Sequence, residues 1–323
     1  MRWYSWVAIL VVIVIGVSGW IAWGSFSNVI ALKPEGAAAE AALASESSQE
    51  PGLGSEPEPT VMSAAIDANG QPARLLSAFF GLDNGLSLRA NLFCLGASGK
   101  DGMPVVLSHT IDPETLQPED FQIVTQSRAV HTPHCVTLRP AQDPGELRTV
   151  LLIGEFGDAS DDPPVSVHVV GDLFADGTLA GDRVNFRGTQ TQVTQLEAGP
   201  FLVLAKVVPE DEWSMETRGT ACPPGIQQIV RVTWAGGVRL PNGDELGDVE
   251  RELYRVSVKR GDGSSAEIVP AALADLEDRD NNHFLCLDTS APVVSVSFPA
   301  GHLVDPNGDL NPDTQVAVNG VVK

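Results

Sequence analysis

The sequence predicts an all-β protein: two antiparallel β-sandwich domains that follow an apolar N-terminal helix and a disordered linker. Three observations carry this. Beyond residue 61 the chain consists of short β-branched runs punctuated by Gly, Pro, Asn and Asp. Only three stretches have helix-start chemistry, and seven or eight strand-like runs per half exceed what one small sheet holds. The 323 residues suit two ordinary domains once non-globular segments are set aside.

No charged residue occurs from Trp3 to Leu32, and Val7 to Trp23 is apolar nearly throughout. About 20 helical residues cross a hydrocarbon core of roughly 30 Å, so residues 1–33 read as a transmembrane anchor, with residues 7–26 as the membrane contact. Trp3, Tyr4 and Trp6 flank one side and Trp20, Trp23 and Phe26 the other, where aromatic rings settle at headgroup depth. The alternative is a cleaved signal segment, with Arg2 as its basic region and Val17-Ser18-Gly19 or Ala22-Trp23-Gly24 as a small-residue cleavage site. Arg2 precedes the span and acids follow Lys33, which places the N-terminus in the cytoplasm and the bulk of the chain outside it.

Residues 34–60 carry Glu but no base and almost no large apolar group, too little burial to offset chain ordering. They read as an acidic linker, holding the folded part roughly 30 Å from the bilayer. Residues 61–199 and 200–323 are then the two sandwich domains, with the boundary near Ala198-Gly199-Pro200.

In the first domain the expected strands are 86–93, 104–110, 121–126, 130–138, 147–156, 165–170, 183–186 and 192–196. The second domain contributes 201–208, 226–234, 253–259, 266–269, 284–287, 293–298 and 315–318. Thr149–Phe156 is continuously apolar like a buried strand, and Val165–Val169 alternates like one with a wet face. Helices are expected at 209–215, 248–254 and 270–278, from Pro at the first turn or acids near it.

Cys94, Cys135, Cys222 and Cys286 form an even set beyond the apolar segment, and outside the cytosol such thiols normally pair. Three connectivities are open. The one that respects two domains is Cys94 with Cys135 and Cys222 with Cys286, each worth at most about 4 kcal/mol by loop entropy. No Cys-x-x-Cys occurs. His131-x-x-His134-Cys135 comes nearest to a zinc pattern, but alternation on a strand turns the two imidazoles to opposite faces.

The net charge of −22 would repel phosphate backbones, so no nucleic-acid partner is expected. Asp305, Asn307, Asp309, Asn311 and Asp313 place oxygen side chains at every second position. On an extended segment these share one face and would supply much of a calcium shell. The same residues are what tight turns require, and Pro241-Asn242-Gly243-Asp244 echoes Pro306-Asn307-Gly308-Asp309 as a reused turn. There is no Gly-x-Ser-x-Gly, His-Glu-x-x-His, phosphate-binding Gly loop or dinucleotide fingerprint, so no catalytic residue is assigned.

Two resemblances add to this reading. Asp112-Pro-Glu-Thr-Leu116 followed by Phe121-Gln-Ile-Val resembles the opening of Ig-like modules in bacterial surface-layer and exported proteins, which implies Ig-like sandwiches acting as spacers or adhesive units. Cys222, Trp234 and Cys286 fall near the Cys…Trp…Cys spacing of immunoglobulin domains, although Phe284 stands where their corner tyrosine would be. The whole chain is similar to single-span bacterial exported proteins. The function expected is therefore a membrane-anchored, exported, non-catalytic module with an envelope structural, adhesive or binding role and a protein or glycan partner. The alternative is an extracytoplasmic hydrolase that attacks polysaccharide through acidic pairs such as Asp161/Asp162 or Glu210/Asp211.

Overall fold

A computed structural model describes residues 71–176, 183–213, 221–274 and 279–319. The expected anchor and linker lie outside these residues. Among the described residues no helix is long and apolar enough to cross a membrane. The chain from Pro59 to Lys323 forms one compact unit.

The structure is mostly β, with two eight-stranded sheets and almost no helix. The first sheet comprises β1 (Leu75–Phe79), β2 (Asp101–Leu107), β3 (Phe121–Thr125), β4 (Val130–His131), β5 (Cys135–Thr137), β6 (Thr149–Gly154), β7 (Pro164–Val169) and β8 (Gln190–Thr194). The second comprises β9 (Leu202–Val208), β10 (Gln228–Trp234), β11 (Arg255–Lys259), β12 (Ser265–Ile268), β13 (Ala272–Ala274), β14 (Asn282–Leu287), β15 (Val293–Phe298) and β16 (Thr314–Asn319). One helix, α1 (Asp248–Arg251), precedes β11.

The strand orders are β4-β3-β7-β8-β1-β2-β6-β5 and β12-β11-β15-β16-β9-β10-β14-β13. Counted from its own first strand, each sheet therefore has the same order. The registers agree residue by residue. Parallel pairing of first with last strand sets Ala78 opposite Val193 and Ala205 opposite Val318. An extra residue bulges at Leu76 in β1 and at Val203 in β9, and again at Val165 in β7 and Val294 in β15. Conserved bulge positions pin register and bend the strands. The chain is thus a structural duplication, with Val106 equivalent to Thr233 and Val150 to His283.

Each sheet curls over its own core. In the first, Met103, Val105 and Val150 from the β1-β2-β6 half meet Phe121, Ile123 and Val167 from the β3-β7 half. In the second, Val230, Val232 and Leu285 meet Val256, Val296 and Phe298. At its centre Trp234, Tyr254 and Phe298 pack edge to face at 4.7 and 5.5 Å. The polar ends of these rings are satisfied internally: Trp234 Nε1 donates to Tyr254 Oη at 3.2 Å, and Tyr254 Oη lies 2.7 Å from His283 Nδ1. Burial holds the His283 ring neutral, lowering its pKa to about 4, and pushes the Tyr254 hydroxyl up.

Two bridges close one loop in each sheet: Cys94–Cys135 over 41 residues and Cys222–Cys286 over 64. They tie the same connection, between first and second strands, to the same place. Cys135 lies opposite Ile153, and Cys286, equivalent to Ile153, lies opposite Ala272. The second bridge sits with Val208, Ile229 and Phe284 on the outer side of the sheet, whereas Trp234 lies in the inner core. The immunoglobulin-like Cys…Trp…Cys spacing is therefore not an inter-sheet bridge over a core tryptophan.

Several local expectations are corrected. The run 86–93, read as a strand, contains a 3-10 turn at Leu88–Leu92, because Ala90, Cys94 and Ala97 pack inward three and four residues apart. Residues 130–138 divide into β4 and β5 on opposite edges of the sheet. Residues 183–186 make an isolated bridge with Phe174 rather than a strand. Ala272–Ala274, read as helical, is β13, since its backbone pairs with β14. The strand β1 was not recognised, its Leu-Leu-Ser-Ala-Phe lacking β-branched residues.

The two curled sheets meet through equivalent outer faces. Phe79, Val106 and Thr149 of the first are buried, as are Arg231, Thr233 and Asn281 of the second. Phe79 meets Phe201 edge to face at 6.4 Å. Asn281 Nδ2 donates to the Trp234 carbonyl at 2.6 Å and to Thr149 Oγ1 at 3.1 Å, so one amide links both sheets. Gly145, at φ 84, lets its loop close over the Arg231 guanidinium. Asp143, Glu146, Arg148 and Arg231 are all buried there, and desolvation together with Arg231 lowers the Arg148 pKa to about 9.

Two outcomes follow. The unfolded chain protonates His283 near pH 6.5, well above the folded value, so protonation favours unfolding. The His283 contribution to stability is full above about pH 6.5 and is lost, by about 3 kcal/mol, as the pH drops to about 4. Urea melts at pH 7 and pH 4 measure this, and His283→Gln should flatten the slope. Asn281→Ala should lower stability by about 2 kcal/mol by leaving the buried Trp234 carbonyl without its donor, read as a shift of the urea midpoint.

Candidate functional site

The five oxygen side chains of the 305–313 loop are used by the loop itself. Asp305 Oδ1 accepts from the amides of Gly308 and Asp309 at 2.8 and 2.9 Å. Asn307 Nδ2 donates to Asp309 Oδ2 at 2.7 Å. Asn311 Oδ1 accepts from His302 and Leu303, and its Nδ2 donates to the Pro299 and Pro312 carbonyls. Asp313 Oδ1 accepts from the Ala300 amide at 3.0 Å. Asp305, Asn311 and Asp313 bond different backbone segments of the turn, whereas Asn307 and Asp309 bond each other. Among the described residues no three His, Cys, Asp or Glu groups gather as a metal shell would require. Burial raises the Asp305 pKa against the opposing pull of its amide donors.

The echo at 241–244 is the same turn. Asn242 Nδ2 donates to Asp244 Oδ2 at 2.7 Å, Gly243 and Gly308 both have positive φ, and the two turns lie side by side through the Arg239–Val304 bridge. Glycine is needed at both because the left-handed conformation costs a side-chain residue energy.

The acidic pairs do not form a cleft. Asp162 accepts from the Ser127 amide and hydroxyl and from Thr125 Oγ1, which holds its pKa below the usual carboxylate range. Glu210 and Asp211 lie exposed in a 3-10 turn. The carboxyls raised by burial are Asp101, Asp120 and Asp305, each held by backbone amides and far apart in the fold. Asp101, for example, accepts from Asn84 and Phe156 at 2.8 and 2.6 Å and ties two loops to β2. His134 Nε2 bonds the Leu95 carbonyl at 2.8 Å and Cys135 is disulfide-bonded, so the 131–135 group serves the fold.

Two surface features escaped the sequence reading. The first is the bridged loop, where Leu88, Leu92 and Leu95 are 79–87% exposed while Ala90, Cys94 and Ala97 fasten its underside. Asn91 Oδ1 accepts from the Gly96 and Ser98 amides, so the loop is built rather than slack. Its density of apolar residues is visible in sequence, but only the inward alanines reveal which side faces out. The second is a cavity of about 210 Å³ at the junction of the two sheets. Phe79, Leu82, Leu86, Pro104, Leu138 and Leu151 wall it from the first sheet, Gly236 and Gly237 from the second, and Arg139 and Arg279 also line it.

No protein-family model matches the chain, and no curated protein matches it. Solved structures give a weak structural similarity to bacterial S-layer protein domains. The N-terminal part of the S-layer protein SbsC aligns with TM-score 0.25 and 11% identity over 76% of this chain and 44% of that one. The S-layer protein rSbsC(31-844) gives TM-score 0.24, 11% identity, 78% and 41%. A structure of SbsC domains 1-6 gives 0.17, 12%, 77% and 41%. The chain thus spans less than half the length of the chains it matches.

The loop's internal hydrogen bonds lead to one expected outcome. Because Asp305 Oδ1, Asn311 and Asp313 already bond backbone groups and Asn307 and Asp309 bond each other, melting curves in millimolar Ca²⁺ and in chelator should coincide; a rise in melting temperature with Ca²⁺ would show that the loop takes up the cation.

Proposed function

We propose that this chain is an exported, non-catalytic protein, held to a membrane through residues 7–26 with its N-terminus in the cytoplasm. The folded part then stands outside as two Ig-like sandwiches with an envelope structural, adhesive or binding role. The observation that carries the reading is the pair of bridges, one closing a loop in each half, since paired thiols belong to oxidising compartments. The shared core between the two halves of each curled sheet supports the sandwich description. The commitment of the raised-pKa carboxyls to backbone amides favours a binding role over acid–base hydrolysis.

Topology reporters fused at the C-terminus test this. A reporter that works only outside the cytoplasm should be active, and protein trapped under non-reducing conditions should offer no thiol to an alkylating reagent. Activity only from a cytoplasmic reporter, or four alkylated cysteines, would overturn the proposal.

A further inference from the structure

The junction cavity differs from the rest of the molecule in charge and in polarity. Acids outnumber bases 42 to 20 in the chain, yet among the described residues no Asp or Glu lines the cavity, and two arginines do. Its walls are mostly aliphatic and aromatic carbon, with the fully buried Phe79 among them. Arg139 and Arg279 are exposed residues that also line the cavity. They come from equivalent connections of the duplicated fold: Arg139 lies between β5 and β6, Arg279 between β13 and β14. The junction that buries Thr149 and Asn281 is therefore what brings the two charges to one opening.

Size and chemistry narrow the occupant. The volume of 210 Å³ falls below the roughly 300–1,000 Å³ of pockets that hold drug-sized ligands. A sugar is a poor match, because its hydroxyls need many polar partners, and the uncharged polar side chains in the wall are Thr149 and Asn281, whose Nδ2 is already shared between the Trp234 carbonyl and Thr149 Oγ1. A cation would meet two like charges. An apolar body with one carboxylate satisfies both parts of the cavity, as its chain displaces water from the walls and its head takes the planar N–H forks that arginine presents to carboxylates.

We infer that the cavity between the two sheets binds a small monocarboxylate with an alkyl body, its chain against Leu82, Leu86 and Leu151 and its head between Arg139 and Arg279. This deepens the binding role proposed above by naming a ligand class. It does not depend on which side of a membrane the protein occupies, so its failure would leave the reporter and thiol results standing.

The full-length chain in lipid nanodiscs would be titrated calorimetrically with octanoate, octan-1-ol and octylammonium at 0.15 M salt, with empty discs subtracted. Octanoate should bind saturably at one site, at least tenfold more tightly than octylammonium. The double variant Arg139→Gln/Arg279→Asn should lose that preference while retaining its melting temperature, because both side chains are exposed and Asn tolerates the φ of 62 at position 279. Leu151→Trp, which fills the cavity, should abolish binding of all three probes. The inference is overturned by absence of saturable octanoate binding, by equal affinity for octylammonium, or by an undiminished octanoate preference in the folded arginine double variant. The last readout stays decisive if Leu151→Trp fails to fold.

Discussion

Each half of the molecule depends on the parallel pairing of its first strand with its last. Without the contact of β1 with β8, and of β9 with β16, each sheet would separate into two four-stranded pieces, each exposing one apolar face. The pairing joins those pieces so that their inner faces share one core, which removes Met103, Phe121, Val230 and Phe298 from water together. Parallel neighbours need a long crossover, and here the crossover is the rest of the half itself. Such a closure is made of contacts distant in sequence, so the core and the register are specified cooperatively.

The duplication explains how two sequences with little visible likeness make one architecture. What recurs is geometry: the bulges at Leu76 and Val203, those at Val165 and Val294, and the alanines opposite the last strand. The side chains filling that geometry differ. Where the first core has Val150, the second has His283, and the second compensates for a polar ring in its interior with Tyr254 and Trp234. Likewise both bridges fasten the same connection, but the anchoring cysteine has moved one strand across the registered pair. A staple needs only the correct spacing of Cα atoms, and neighbouring strands offer it equally well.

Much of the strand content was legible because it is β-branched and bounded by turn residues, as in Val293–Phe298 or Gln228–Trp234. The failures have a common cause. Leu75–Phe79 and Ala272–Ala274 are strands by virtue of their neighbours, not their composition, and Leu88–Leu92 is a tight turn because the Cys94 disulfide and two inward alanines hold it. The 305–313 loop shows the converse. Its alternating oxygens were visible, but whether they face a cation or their own amides depends on the path of the backbone, which spacing does not encode.

By itself the sequence determined the all-β class, the number of strands to within a few, and the pairing of cysteines most compatible with two halves. These are properties of local composition, which is present before folding. Only the tertiary structure decided that the halves are duplicates, that their equivalent outer faces meet, and that Arg139 and Arg279, 140 positions apart, open onto one apolar cavity. Those properties arise from pairing between distant strands, where hydrogen-bond register and shared burial, rather than any residue's own preference, fix what lies beside what.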